Sequence, residues 1–342
     1  MAFLGLCRAT GIGSLPHADP AAAVEAALAA APDLPYWPQL PQRSKREGMV
    51  EQALAGLPGL RIIEGRLRHV QDEAFFLGAE RILAAYEAGD ADAAAMADET
   101  AAGLKPFLYA LAARRIRQAK GQIAGPITTG MAVLGEDGNP ILYDDALREV
   151  LAKFLSLRVR WQAAQIRAAG TEPVIFVDEP FLASFGTAFF GWGKDEVQAT
   201  LRAVVEGAGP TGSHCCSNTD WAMLLESPLD VVSFDAFEFA ENFLVYREAI
   251  GRFLSRGGTI AWGIVPTDPD AVASATAEAL GERLLGLVAR VEALGFPREQ
   301  VLRQALVTPA CGLGTRPMET AARALRLARD VAAALRQRFL AA

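Results

Sequence analysis

Pro173-Val-Ile-Phe-Val177 is a short apolar run that stops at Asp178-Glu179-Pro180. A run this brief, rich in β-branched residues, suits a strand buried on both faces. The same unit recurs towards the C-terminus. Lys194 to Gly207 carries helical spacing, and Gly212 to Cys216 is a second short strand. Trp221 to Leu225 (helix), Val231 to Phe234 (strand) and Glu241 to Phe253 (helix) follow. Thr259 to Ile264 (strand), Ala271 to Leu294 (helix), Leu302 to Val307 (strand) and Met318 to Phe339 (helix) complete the series. Strands alternating with helices predict right-handed β–α–β units and a parallel sheet. With Gly11 to Ser14 and Gln122 to Gly125 as earlier strands, about eight units fit, and a single (β/α)8 TIM barrel spanning residues 1–342 is the natural closure. Leu34 to Arg68 is less regular and reads as an excursion before the second strand. The alanine-rich stretches Ala21 to Ala31 and Ala91 to Ala102 read as helices, with Asp19-Pro20 capping the first. Thr267-Asp268-Pro269 repeats that device. An open doubly wound sheet is the alternative, weakened because no Gly-x-Gly-x-x-Gly follows the first strand.

The 342 residues carry 33 basic and 40 acidic side chains, a formal charge of −7, and are 51% hydrophobic. That composition is globular and too acidic for a general nucleic-acid binder. No apolar stretch approaches the roughly 20 residues that cross a bilayer. The opening Met1 to Arg8 is too short for a signal peptide, so the cytoplasm is the expected compartment. Four cysteines are too few for a disulfide scaffold.

The unusual polar residues fall where strands end, the place where barrels gather reactive groups. Ser14 and His17 follow the first strand, Asp178-Glu179 follows Val177, His214-Cys215-Cys216 ends the next strand, and Asp235 ends the one after. Cys311 follows Val307-Thr-Pro-Ala310. Residues two apart on a strand point the same way, so His214 and Cys216 face the mouth together while Cys215 faces away. Imidazole and thiolate are zinc ligands, and Cys311 with Asp235 or Glu238 could complete a tetrahedron. Buried cysteines and a satisfied core histidine are the bland alternative for any one of these residues; the combination at three strand ends favours a metal. Asp178-Glu179 suits an amine, unless the pair only caps a helix.

Thr10-Gly-Ile-Gly-Ser-Leu-Pro-His17, Val177-Asp-Glu-Pro180, His214-x-Cys216 and Pro309-Ala-Cys-Gly-Leu-Gly-Thr-Arg316 resemble, in order, the catalytic half of cobalamin-independent methionine synthase. The wider superfamily includes uroporphyrinogen decarboxylase and is built on a (β/α)8 barrel. The resemblance implies a zinc held by His214, Cys216, a carboxylate and Cys311, with Asp235 at the family's glutamate position and Glu238 its rival. It implies that homocysteine's sulfur binds the zinc to be methylated to methionine. Ser14 with the neighbouring backbone of Ile12 and Gly13 would hold the amino acid's carboxylate, and Asp178 its ammonium. Binding to zinc removes the thiol's proton at neutral pH.

The departures shape the expected donor. The family's second, N-terminal barrel has no counterpart, and neither does the histidine that helps protonate the folate leaving group; Ala261-Trp-Gly-Ile-Val-Pro-Thr267 stands there. Gly125-Pro-Ile-Thr-Thr-Gly130 replaces the tryptophan-bearing folate loop, and the glutamate of the early substrate loop gives way to Gln42 to Glu47. The expectation is therefore a methylated corrinoid donor, methylcobalamin or a corrinoid protein partner, in place of methyltetrahydrofolate. Alternatives are a zinc methyltransferase for another thiol, such as coenzyme M, and a non-catalytic zinc-binding barrel.

Overall fold

The structure is a computed structural model and describes residues 3–340; the first two residues of the opening Met1 to Arg8 run lie outside them. Among the described residues nine strands form, of which seven build one parallel sheet. They are β1 (Arg8–Ala9), β4 (Gln118–Ala124), β5 (Glu172–Asp178), β6 (Thr211–Cys215), β7 (Val231–Phe234), β8 (Thr259–Val265) and β9 (Ala305–Pro309). Their order is β1-β9-β8-β7-β6-β5-β4. The remaining strands, β2 (Leu60–Ile63) and β3 (Arg66–His69), make an antiparallel hairpin inside the irregular region between residues 34 and 68–69.

The expected eight-stranded barrel is thus present as a curled sheet of seven regular strands. The excursion supplies what lies between the two edges. Its residues 35–39 run beside both: Ser14 bridges Gln39 and Tyr36 bridges Lys120, each in parallel. Leu15 N–H donates to the Gln39 carbonyl, Gln39 N–H to Gly13, and Trp37 N–H to Lys120. Pro35 and Pro38 have no N–H to offer a ladder, which keeps this stretch from being a regular strand.

Most elements form where the pattern puts them, and the differences have causes. Ala91 to Ala102 is not a helix: only Ala91–Ala94 makes a 3-10 turn. The buried Arg158 guanidinium takes the carbonyls of Ala94 and Ala95, which are then not aligned for a helical ladder. Leu302 belongs to the helix Arg298–Arg303, so the last strand starts later than expected. The run from Ala271 divides into Pro269–Ser274 and Ala277–Glu292, because Thr276 caps a new helix by accepting from Ala279 N–H. Asp19 and Asp268 cap as expected.

The period of two sorts the strand residues onto two faces. A small apolar cluster, including Leu34, Val174, Phe176, Val231, Ala261 and Leu306, fills the concave face. On the same parity Lys120 and Gln122 lie level with Val174 and Phe176, and Thr10, Asp178, His214, Ser233 and Thr308 lie towards the C-terminal ends, all buried. Val177, Cys215, Phe234, Trp262 and Val307 face the helices in the main core. One end of the sheet is therefore lined by polar groups on an apolar floor. No helix among the described residues is long and apolar enough to cross a membrane.

Candidate metal centre

His214 lies near the end of β6 and Cys216 just beyond it, on the same side. Cys215 packs outward in the main core, where burial pushes its thiol up to about 12. Cys311 sits two residues past β9. Its loop is anchored twice: Ala310 N–H donates to the Val265 carbonyl at 2.8 Å, and Leu313 N–H to the Ser14 carbonyl at 3.0 Å. Gly312 packs directly on Ser14, since a Cβ there would stand 2.5 Å from Ser14 Oγ. The result brings one ring nitrogen of His214 and the sulfurs of Cys216 and Cys311 within 4.8 Å of one another.

The chemistry of this cluster suits a soft divalent ion. His214 Nδ1 shares a 2.9 Å hydrogen bond with Ser233 Oγ, while its Nε2 is buried with no hydrogen-bond partner. A metal-ligating histidine has this arrangement: one nitrogen oriented by a neighbour, the other free to donate its lone pair. The Cys216 thiol and the His214 ring lower the pKa of Cys311, so that sulfur ionises first; Cys216 is raised in turn by the neighbouring thiolate and by burial. Both protons leave together only when a cation offsets two adjacent negative sulfurs. Tetrahedral zinc with sulfur and nitrogen ligands would place those atoms roughly 3.3–3.8 Å apart. The three ligand atoms, all within 4.8 Å of one another, are close to that spacing.

Asp235 and Glu238 stand differently from the three. Neither joins the cluster. Asp235 Oδ1 accepts from Glu238 N–H at 2.8 Å and caps the helix Ala236–Leu244. It is buried, and burial raises its carboxyl to about 6. Glu238 is exposed. Asp178 ends β5 on the same inward parity, with Oδ1 buried and unpartnered. Burial raises its pKa and Lys120 opposes the rise. Glu179 does not join it as a second amine ligand. Its oxygens accept from Ile127 N–H (2.9 Å) and Thr128 N–H (2.7 Å), capping the helix Pro126–Ala132. Ile12, Gly13 and Ser14 form the loop beside the Cys311 segment, and Ser14 Oγ accepts from Gly314 N–H at 3.2 Å.

Lys120 and Gln122 escape sequence inspection. Lys120 is 1% exposed, and burial lowers its pKa to about 8 against the pull of Asp178. Its one signal was a lone lysine in the otherwise uncharged run Gln118 to Ala124, a place where solvation of an ammonium is costly.

A groove of about 1070 Å³ exists elsewhere, lined by Arg61, Arg66, Arg68 and Lys45 over an apolar floor, and contains none of the candidate residues. Convergent ligand atoms, not volume, mark the centre described here. Gly263 on β8 supports it at one remove: a Cβ there would overlap the Phe234 carbonyl and stand 2.9 Å from Ala310 Cα, next to Cys311. Gly263→Ala is expected to cost about 1–3 kcal/mol of stability and to weaken metal binding roughly tenfold. Thermal melting and competition with a chromogenic chelator measure the two; unchanged metal affinity would show that the Cys311 loop position does not matter.

Comparison with protein families matches residues 94–334 to the cobalamin-independent synthase catalytic domain. Among solved structures, a B12-independent methionine synthase from Shewanella sp. W3-18-1, in complex with selenomethionine, superposes with a TM-score of 0.59 at 16% identity, over 98% of this chain and 99% of that one. A methyltransferase from Methanosarcina mazei gives 0.57 at 15%, over 96% and 93%. At such identities these structures show a shared fold. A search of curated proteins gives no match.

Proposed function

The chain belongs to the family of cobalamin-independent synthase catalytic domains, and from that premise we propose that it methylates the thiol of homocysteine to give methionine, as one catalytic unit over residues 1–342 on a (β/α)8 barrel. The observation that carries this is the meeting of His214, Cys216 and Cys311 within 4.8 Å, beside an unpartnered buried carboxylate oxygen of Asp178.

Family membership corrects the donor. A methylated corrinoid, as methylcobalamin or on a partner protein, does not fit a cobalamin-independent family. The expectation rested on the absent histidine, the changed folate loop, the missing early-loop glutamate and the lack of a second barrel. An absent acid does not identify a leaving group, because another side chain or a water chain can deliver the proton. We take methyltetrahydrofolate as the donor.

The residues divide the work. His214, Cys216 and Cys311 would hold zinc, with Asp235 supplying an oxygen through the atom its helix cap leaves free. Bound there, zinc would supply the positive charge that keeps a substrate thiol ionised at neutral pH. Asp178 receives the substrate's ammonium in a buried site where an unpaired carboxylate is costly. The backbone of Ile12 and Gly13, with Ser14, faces the carboxylate. Fixing both ends of the amino acid leaves its sulfur one position to occupy, which is the alignment such a transfer needs. A thiol without an amine, such as coenzyme M, would leave Asp178 unmatched.

The test is methionine formation from homocysteine and methyltetrahydrofolate by the zinc-loaded protein, against protein stripped by a chelator. Turnover should vanish on stripping and return with zinc. Equal rates before and after stripping would refute the metal's role, and no methionine in either sample would refute the reaction.

A further inference from the structure

We propose that Lys120 is a positioning residue for the amino-acid end of the substrate, holding the Ile12–Ser14 loop with its backbone N–H groups turned to the substrate's carboxylate. This rests on the homocysteine reading above.

Lys120 projects from β4 onto the concave face, beneath the mouth. Its Nζ donates to the Ile12 carbonyl at 2.6 Å and to Gln122 Oε1 at 3.1 Å, and lies 4.5 Å from the centroid of the Phe176 ring. An ammonium this deep persists only when its charge is compensated. Gln122 and Phe176 belong to the sheet, and Asp178 stands at its end. The Ile12 carbonyl is the partner that lies on a loop, so the charge ties that loop to the sheet.

The loop is otherwise short of internal bonds. Thr10 N–H donates to Val307 and Leu15 N–H to Gln39, but among the described residues the N–H groups of Ile12, Gly13 and Ser14 donate to no acceptor in the chain. Successive backbone N–H groups left unpaired are free to take an anion where they converge. The loop's outer contacts also fix it: Gln39 N–H donates to the Gly13 carbonyl, and Gly13 is packed so closely that a Cβ would stand 2.5 Å from Gln39 Oε1 and 2.9 Å from Gln122 Cδ. Gln122 Nε2 in turn donates to the Trp37 carbonyl at 2.8 Å. Lys120 is thus the charged group in the polar set that clamps this loop from below, and among the described residues it hydrogen-bonds to none of the three metal-ligand candidates.

The test separates positioning from folding. Lys120→Met keeps most of the length of the side chain and removes its charge. L-Methionine binding to the metal-free full chain, measured calorimetrically, should weaken at least tenfold. Cobalt stoichiometry should stay that of the wild type, as should the absorption change when 2-mercaptoethanol, which has no amino-acid end, is added to the cobalt form. A general structural loss would lower all three. Wild-type affinity for L-methionine in Lys120→Met would overturn the inference. Should that variant not fold, Lys120→Arg, which keeps the charge but moves the donor atoms, is read the same way: a tenfold loss supports the assignment and wild-type affinity overturns it. A wild-type chain that holds cobalt yet binds no L-methionine would instead bring down the homocysteine reading, and this inference with it.

Discussion

Replacing Cys311 by serine is expected to remove the metal and the reaction together. Serine preserves the shape of the loop between Ala310 and Gly314, whose anchors are backbone bonds to Val265 and Ser14. It does not preserve the ligand, because an alcohol stays protonated where the Cys311 thiol, lowered by Cys216 and His214, is ionised. A structural zinc site is worth on the order of 10–16 kcal/mol over four ligands. One lost ligand therefore costs about 2.5–4 kcal/mol, on the order of a hundredfold to a thousandfold in affinity. Metal per chain after gel filtration should fall from near one to near zero, and methionine formation should fall to background. The melting temperature of metal-free protein should barely move, since Cys311 is only partly buried. A Cys311→Ser protein that keeps its zinc would remove Cys311 from the centre.

The layers of this fold differ in how openly they are written in the sequence. Strands such as Val231–Phe234 and helices such as Met318–Phe339 fall where apolar periodicity puts them, because their burial repeats with a fixed period and their ends carry caps or prolines. His214 and Cys216 could be paired from the strand period alone. Cys311 could only be guessed as a partner, since nothing local says which distant loop folds over which strand end. Asp235 stands among the candidate ligands by its place at a strand end, and a helix cap is the role its Oδ1 performs. Glu179 shows the same ambiguity resolved fully towards capping. The stretch from 35 to 39 was illegible as an edge partner because its prolines erase the strand signature while leaving enough carbonyls and amides to bridge both neighbours. Lys120 was illegible because a single lysine in a strand gives no clue to where its Nζ ends. Ala91 to Ala102 misled because alanine favours helix, whereas Arg158, a tertiary partner more than sixty residues away in sequence, claims the carbonyls a helix would need.

Asp178→Asn should divide amino-acid recognition from thiol chemistry. Asparagine has almost the same size, so the end of β5 and the Glu179 cap beyond it should stand. What disappears is the negative charge that, on the proposed reading, faces the substrate's ammonium. The wild-type carboxylate is buried, and Lys120 holds part of its charge in balance. Removing one partner of a buried pair costs about 3–5 kcal/mol, because the other is left uncompensated. For homocysteine that becomes roughly a hundredfold to several-thousandfold loss in kcat/KM. The loss should fall on KM more than on kcat if the contact is the same in the ground and transition states. Methylation of a thiol lacking the amine, however slow in the wild type, should be unaffected, since on the proposed reading its sulfur depends on His214, Cys216 and Cys311 and not on Asp178. Zinc content should also stay at the wild-type level. A parallel fall for both thiols with zinc retained would mean that Asp178 serves the metal centre or the transfer itself and that the amine is read elsewhere. Equal homocysteine kinetics in the variant and the wild type would leave the unpartnered Oδ1 without a role in substrate binding.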